Sequence, residues 1–147
     1  MISYKLNPES FCHLKTKHNI IKVTKDNYHH HYKLVQNSIQ YFKDEIDWEG
    51  MFDTKVVIKR LDSGMIMYMG IFDSDVFGHV WFSDYKDGRF LFNLFVRNDV
   101  QEKKYTGKEF VSDIIFRYEY DKSIYCEVDE WNEKSIKLFE KLGFIRY

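Results

Sequence analysis

Two patterns of apolar residues alternate along this chain, one with the period of a helix and one typical of strands. Large apolar side chains recur every three or four residues over residues 28–42, which predicts a first helix with Asp26 as its candidate cap. The same spacing predicts helices over about residues 107–120 and about residues 132–142. A shorter helix is expected over residues 46–52.

Between the helices, runs of β-branched and aromatic residues predict strands. They cover residues 20–24, 55–61, 65–72, 76–84, 89–96 and 123–128. Short breaks rich in Gly and Asp separate the middle four runs, so neighbouring runs should pair as antiparallel hairpins. Strict alternation over residues 90–96 would place Phe92 and Leu94 on one face and Phe95 on the other. Both faces are mostly apolar, which predicts a central strand covered on both sides.

Composition restricts the classes of protein to which this chain can belong. At 147 residues, with 44% hydrophobic and 31% charged positions, the chain is expected to form one globular domain. A net charge of −1 gives no basic field for nucleic acid, which favours a small-molecule or protein partner. No apolar run approaches the roughly 20 residues of a membrane span, and the first residues lack the layout of a signal peptide. A cytoplasmic protein without membrane contact is therefore expected.

The cysteines and adjacent histidines do not predict a metal site. Cys12 and Cys126 are far apart and have no neighbouring cysteine, so both are expected to be buried small hydrophobes rather than zinc ligands or a disulfide. His29, His30 and His31 occupy successive positions of the first predicted helix. Because successive helical side chains diverge by about 100°, the three rings cannot converge on one ion.

The last third of the chain carries a motif of fixed spacing. A strand that ends at Val128 is followed by Asn132, by Ser135 and then by the run Leu138-Phe139-Glu140-Lys141-Leu142-Gly143-Phe144. This pattern resembles the carboxy-terminal signature of the GCN5-related N-acetyltransferase (GNAT) family, in which Leu-Tyr-x-Lys-x-Gly-Phe closes the helix. The order of the predicted elements agrees with the resemblance over residues 20–144.

The resemblance implies both a fold and an activity. It implies an α/β fold with a mixed, mostly antiparallel twisted sheet, helices on both faces and a splayed central strand pair. A GNAT-like domain over residues 20–147 would follow an irregular N-terminal extension of residues 1–19. The implied activity is an N-acetyltransferase that uses acetyl-CoA, or another acyl-CoA, and acetylates an amine of a small molecule or protein. The alternative is a catalytically degenerate domain that acts as a CoA-binding or structural module.

Three segments are expected to bind the cofactor, on the basis of the resemblance. The end of the central strand contributes Leu94, Phe95 and Val96. The following loop and helix start contribute Gln101, Lys104, Thr106, Gly107 and Lys108. The last helix contributes Asn132, Ser135 and Phe139. Backbone N–H groups at a helix start bind phosphate, but the family's glycine-rich motif is degraded here because Tyr105 stands where its first glycine would be. An ordinary solvated loop over residues 96–109 and a simple helix cap at Asn132 remain alternatives.

The expected catalytic residues are Asn93, Glu127 and Tyr105. Family members often place an acidic base near position 93 of the central strand, but an asparagine can only hold a water there. Glu127 on the neighbouring strand is then a candidate base, as are His79 and the acidic residues within 44–49. The acidic residues within 44–49 and 127–133 also suggest a cationic acceptor, although charge runs commonly face solvent.

Phe139 stands where the family usually has a tyrosine that protonates the departing thiolate. Phenylalanine cannot donate a proton, so the role would pass to water, to another tyrosine, or to no group at all. The candidate tyrosines are Tyr105, Tyr125 and Tyr147. Phe139 is equally explained as a core residue of the last helix.

The segment after Gly143 is too short for the family's usual last hairpin and leaves room for one short strand at most. Three alternatives follow. The acceptor side of the site is shorter than usual, a second subunit of a homodimer completes it, or residues 1–19 complete it.

Overall fold

Seven strands form one mixed sheet in the computed structural model, which describes residues 1–14, 18–46, 49–101 and 106–147. The strands are β1 (Ile2–Leu6), β2 (Asn19–Val23), β3 (Ile66–Phe72), β4 (Asp75–Tyr85), β5 (Gly88–Val96), β6 (Ile124–Val128) and β7 (Ile145–Arg146). Their order in the sheet is β2-β3-β4-β5-β6-β1-β7, and only the β5–β6 pair is parallel among these strands. Within the described ranges, no helix is both long and apolar enough to cross a membrane.

Helices cover both faces of the sheet, as predicted. They are α1 (Tyr32–Glu45), α2 (Thr54–Asp62), α3 (Asn98–Gln101), α4 (Gly107–Ile114) and α5 (Glu133–Lys141), and a π-helical turn, Ile115–Glu119, extends α4. On one face, Val35 of α1 and Leu61 of α2 pack into a core with Trp81 of β4. On the other face, Phe110 of α4 and Phe139 of α5 share a second core with strands that include β1 and β6. The α/β fold class predicted from the resemblance is confirmed.

The first helix begins later than its apolar pattern predicts. A 3₁₀ turn, Tyr28–His31, contains the three histidines and precedes α1. Asp26 does not cap this turn, because Asn27 is the residue at its cap position and the Asn27 side chain instead bonds the backbone of Thr24 and Lys22.

The strand predicted over residues 55–61 is wrong, because this segment forms α2. The Asp53 side chain caps the helix by accepting a hydrogen bond from the Val56 N–H at 3.0 Å. Val57 and Leu61, four residues apart, are both buried against the sheet. The β-branched residues that suggested a strand are overridden by this cap and by helical packing. The helix predicted over residues 46–52 is absent from residues 49–52, and residues 47–48 lie outside the described ranges.

The prediction of an irregular extension is wrong for Ile2–Leu6, which forms β1 in the interior of the sheet. This strand pairs antiparallel with β6 from Ile2↔Val128 to Leu6↔Ile124, and with β7 through Tyr4↔Arg146. The N-terminal residues thus add a strand between β6 and the short β7. That they complete the acceptor side of the site stays a prediction.

A bulge in β5 changes which residues share a face. The register with β4 shifts between Trp81↔Phe92 and His79↔Phe95, and Asn93 has a positive φ of 51°. Phe92 packs against the core of α1 and α2, and the Phe95 ring contacts His79 on the same side. The predicted alternation is therefore wrong beyond Asn93, since a bulge inserts one extra residue and reverses the faces.

β5 and β6 are paired over only a short stretch. Arg89 pairs with Ile124 and Phe90 pairs with Tyr125, and no later pair is found between these two described strands. Beyond Phe90 the strands part, which confirms the predicted splayed central pair.

Candidate active site

The gap between β5 and β6 opens into a cavity of about 170 Å³. Residues from both strands and from α5 line this cavity, and the ones predicted from the sequence are Asn93, Leu94, Glu127, Asn132, Ser135 and Phe139. Two of the three predicted catalytic residues, Asn93 and Glu127, are thus brought to the same cavity from different strands. Asp129, which the sequence analysis did not single out, also lines it.

A second cavity of about 220 Å³ continues from the first along β5. Leu94, Asn132 and Ser135 line both cavities, and Phe95 and Val96 line the second. The second cavity ends at Gly107, the first residue of α4. The predicted strand, helix start and last helix therefore line a row of adjacent cavities, called the groove below.

The third cavity, of about 310 Å³, lies at the far end of this groove and is basic. Its polar lining comes from the start of α4 and one side of α5, through Thr106, Gly107, Lys108, Lys134, Lys137 and Lys141. Thr106 caps α4 by accepting a hydrogen bond from the Glu109 N–H. The start of an α-helix has backbone N–H groups without intrahelical partners and a positive dipole end, both of which favour an anion.

Close packing of α4 against α5 requires a small residue at Gly107. A Cβ added there would lie 3.2 Å from the Leu138 Cδ1 and 3.3 Å from the Leu94 Cδ2. This glycine brings the start of α4 next to α5, so that lysines from both helices reach the same basic cavity.

The helix motif forms as predicted, and its cap also lines the groove. The Asn132 side chain accepts a hydrogen bond from the Ser135 N–H at 3.1 Å, so it serves as an ordinary N-cap. Gly143 has a φ of +102°, and the Phe144 N–H bonds the Phe139 carbonyl at 3.0 Å. Because Phe139 is 4% exposed and stacks edge-on against Phe144, it belongs both to the core and to the wall of the gap.

A fourth cavity, of about 200 Å³, lies on the α1 and α2 side of β5. Asn93, at the bulge of β5, is the one described residue that lines both this cavity and the gap. His79 also lines the fourth cavity, and its Nδ1 is 2.6 Å from the Ser38 hydroxyl. Burial, with a smaller contribution from the charge of Arg60, lowers the pKa of His79 to about 3. The imidazole is therefore neutral and too weakly basic to deprotonate an ammonium group.

Some of the remaining sequence candidates are engaged elsewhere, and others, including Asp47, lie outside the described ranges. Glu49 and Tyr147 are exposed, and the Tyr125 hydroxyl donates a hydrogen bond to the Asp87 carboxylate. The Glu45 carboxylate accepts a hydrogen bond from the Asn98 N–H, and Asp44 accepts one from Gln40. Tyr105 and Lys104 fall within the undescribed residues 102–105, and the Gln101 side chain is likewise not described.

The two cysteines differ in exposure. The prediction that both are buried is wrong for Cys12, which is exposed. Cys126 is buried beside the gap, and burial raises the pKa of its thiol to about 12. A neutral thiol of this kind acts as a small apolar group rather than a nucleophile.

The lysines of α5 are site residues that the sequence analysis missed. Lys134, Lys137 and Lys141 recur at intervals of three and four, which is one helical face. That spacing predicts a basic helix face from the sequence. Only the position of α4 in the structure shows that this face borders a groove.

Comparisons with known proteins agree with this geometry. Residues 29–144 match the Acetyltransferase (GNAT) family. No match to the chain was found among curated proteins.

Solved structures with low sequence identity have the same fold. A functionally unknown conserved protein from Staphylococcus epidermidis ATCC 12228 is 11% identical with a TM-score of 0.61, and the match covers 99% of this chain but 57% of that protein. An aminoglycoside acetyltransferase from an uncultured soil metagenomic sample, in complex with sisomicin, is 10% identical with a TM-score of 0.58, covering 84% of this chain and 86% of that one. A ribosomal-protein-alanine N-acetyltransferase from Brucella melitensis biovar Abortus 2308 is 16% identical with a TM-score of 0.54, covering 85% and 91%.

The splayed strand pair, the groove beside it and the flanking helices define an α/β fold of the acetyltransferase type. The chain belongs to the Acetyltransferase (GNAT) family, which the match over residues 29–144 shows.

Proposed function

We propose that this protein is an acetyl-CoA-dependent N-acetyltransferase that acts on an amine. One observation carries the proposal: the gap between β5 and β6 shares lining residues with a second cavity, and that cavity shares lining residues with one that four lysines line. A long thin arm fits the gap, and phosphate groups fit the basic end. Acetyl-CoA combines these two features in one molecule.

The chain's own residues suit each part of that ligand. Beyond Phe90, β5 does not pair with β6, so a pantetheine arm would bond its backbone between Leu94 and Val96. Asn132 and Ser135 offer polar groups along the same groove, while Lys108 and the start of α4 would hold phosphate at its end.

Catalysis would rest on positioning and on one proton transfer. When bound, the cofactor supplies an acetyl thioester that a neutral amine attacks directly. Glu127 would accept the proton of the incoming ammonium through a water held by Asn93, because both residues line the gap. A backbone N–H near Phe95 or Val96 would stabilise the charge that develops on the carbonyl oxygen. Tyr105 remains a proposed proton donor to the thiolate, since Phe139 cannot fill that role.

A second function, as a CoA-binding or structural module, is favoured by two residues that line the gap, Phe139 and Asn93, which stand where the family usually has a tyrosine and an acid. The Phe139 side chain is buried against Phe144 and offers no acid. Titration calorimetry with acetyl-CoA, followed by a thiol-release assay over a panel of amines, separates the two functions. Binding with turnover supports the enzyme, and binding without turnover on any amine supports the CoA-binding module. No binding at millimolar acetyl-CoA contradicts the enzyme and leaves only a structural module.

Replacing Lys108, Lys137 and Lys141 together with methionine is expected to weaken acetyl-CoA binding roughly 10–100-fold, because each exposed ammonium–phosphate contact contributes about 0.5–1 kcal/mol. Calorimetry at low and high salt should show a smaller salt dependence in the variant. Acetylpantetheine, which lacks the phosphates, should bind both proteins equally.

A matched control replaces three exposed lysines outside the groove, Lys22, Lys25 and Lys33, with methionine. This control changes the net charge by the same amount. Equal loss of affinity in both triple variants would mean that the basic cavity does not hold the phosphates.

A further inference from the structure

The fourth cavity contains a cation whose position the proposed reaction does not explain. Arg60 of α2 lines this cavity together with Phe42, Met51, Phe52, His79 and Asn93. Asn93 also lines the gap, so this cavity shares a residue with the place where the thioester is expected.

The Arg60 guanidinium is surrounded by aromatic rings. Its central carbon lies 5.3 Å from the Phe52 ring centroid, 5.0 Å from that of Trp81 and 5.1 Å from that of Phe92. Aromatic faces attract a cation, so the three rings hold the side chain in a fixed position. They offer no oxygen to its N–H groups.

Arg60 differs from the other arginines in having no oxygen partner among the described residues. Its Nη1 is buried without a hydrogen-bond partner there, and no carboxylate pairs with it in those ranges. By contrast, Arg89 bonds Asp84 and Glu119, Arg97 bonds Asp99, and Arg117 and Arg146 each bond an oxygen. Arg60 is partly buried, and this burial lowers the pKa of its guanidinium because the charged form is less well solvated there.

A partly buried guanidinium with an unsatisfied buried donor is suited to an anionic ligand. Its N–H groups form a planar fork that matches the two oxygens of a carboxylate. Beside Arg60, the other residues that line the cavity are apolar or uncharged, since His79 is neutral. The field in this cavity therefore favours an anion and opposes a second cation.

We infer that the acetyl acceptor is a small amine that also carries a carboxylate, and that Arg60 binds this carboxylate in the fourth cavity. The inference rests on the proposed function, because it assigns the acceptor of that same reaction. A cavity of about 200 Å³ suits a molecule of amino-acid size. Aminoglycosides, which carry several ammonium groups, are disfavoured by the charge of Arg60. The sequence-based suggestion of a cationic acceptor is thus replaced by one of mixed charge.

The test compares free amino acids with their carboxamides, which keep the amine and side chain but lose the negative charge. The wild type should acetylate the acids at least ten times more efficiently in kcat/KM, with the difference mainly in KM. Arg60→Met, which keeps much of the apolar volume over the rings, should abolish this preference, whereas Arg60→Lys should keep part of it. Lys59→Met, at the neighbouring exposed position, should behave as the wild type.

A second measurement keeps this inference separate from the proposed function. Calorimetry of the same amino acids against protein saturated with CoA requires no turnover. If the wild type binds the acids and Arg60→Met does not, the inference is supported even without acetyl transfer. The absence of acetyl transfer would contradict only the proposed function. Two results would overturn the inference and leave the proposed function intact. One is that the wild type uses or binds acids, carboxamides and aminoglycosides equally well. The other is that a folded Arg60→Met protein keeps the preference for acids.

Discussion

Replacing Tyr4 with alanine is expected to lower the free energy of unfolding by about 3–5 kcal/mol, the range for removing a fully buried aromatic side chain. Tyr4 is 0% exposed, and β1 around it is paired on both sides. Its hydroxyl donates to the Glu140 carboxylate at 2.8 Å and accepts from Arg146 Nε at 3.2 Å. Urea unfolding followed by fluorescence measures the effect, and the melting temperature should fall by roughly 6–20 °C.

Tyr4→Phe is the matched control, because it removes only the hydroxyl. Its expected loss is about 1 kcal/mol, the usual net contribution of such hydrogen bonds. If Tyr4→Ala unfolded at the same urea concentration as the wild type, β1 would not be an integral strand of the sheet.

Replacing Glu127 with glutamine is expected to lower kcat by about 100–1,000-fold, within the range for loss of a general base. The substitution keeps the shape of the side chain and removes its ability to accept a proton. Because the amide changes no contact with the proposed phosphate site, the dissociation constant for acetyl-CoA should remain unchanged. Stopped assays of acetyl transfer, with calorimetry on the same protein, measure both quantities.

Two other acidic residues make this test specific. Asp129 also lines the gap, so Asp129→Asn asks whether the neighbouring carboxylate is the base instead. Glu130 is exposed and does not line the gap, so Glu130→Gln should leave kcat unchanged. Full activity of Glu127→Gln would exclude Glu127 as the base, and loss in Asp129→Asn would then assign the role to Asp129.

The parts of the fold that could be predicted are those that local sequence determines. For α5, a cap at Asn132, an apolar stripe and a glycine stop at Gly143 all act within about a dozen residues. The antiparallel strands from Ile66 to Val96 were also predictable, because alternating apolar runs are separated by turn residues.

The remaining elements depend on contacts that are distant in sequence. Nothing within Ile2–Leu6 indicates that the segment will pair with Ile124–Val128. The bulge at Asn93 was hidden because an asparagine within an apolar run does not itself specify an extra residue. Residues 55–61 were assigned the wrong structure because β-branched side chains favour strands only where the packing agrees.

The candidate site divides in the same way. Asn132 and Ser135 were predicted from a motif with fixed spacing and Gly107 from the degraded glycine-rich motif, and all three line the groove. Arg60 could not be predicted, because its surroundings come from the loop before α2 and from β4 and β5, through Phe52, Trp81 and Phe92.

The position of β1 has a consequence for how the molecule folds. Pairing of Ile2 with Val128 closes a loop over most of the chain, and the entropy of that closure is lost before the contacts compensate for it. We therefore expect this pairing to form late, after the meander of β3, β4 and β5 is in place. Until then β6 presents an open edge of unpaired amides, so a partly folded chain would be vulnerable to aggregation at that edge.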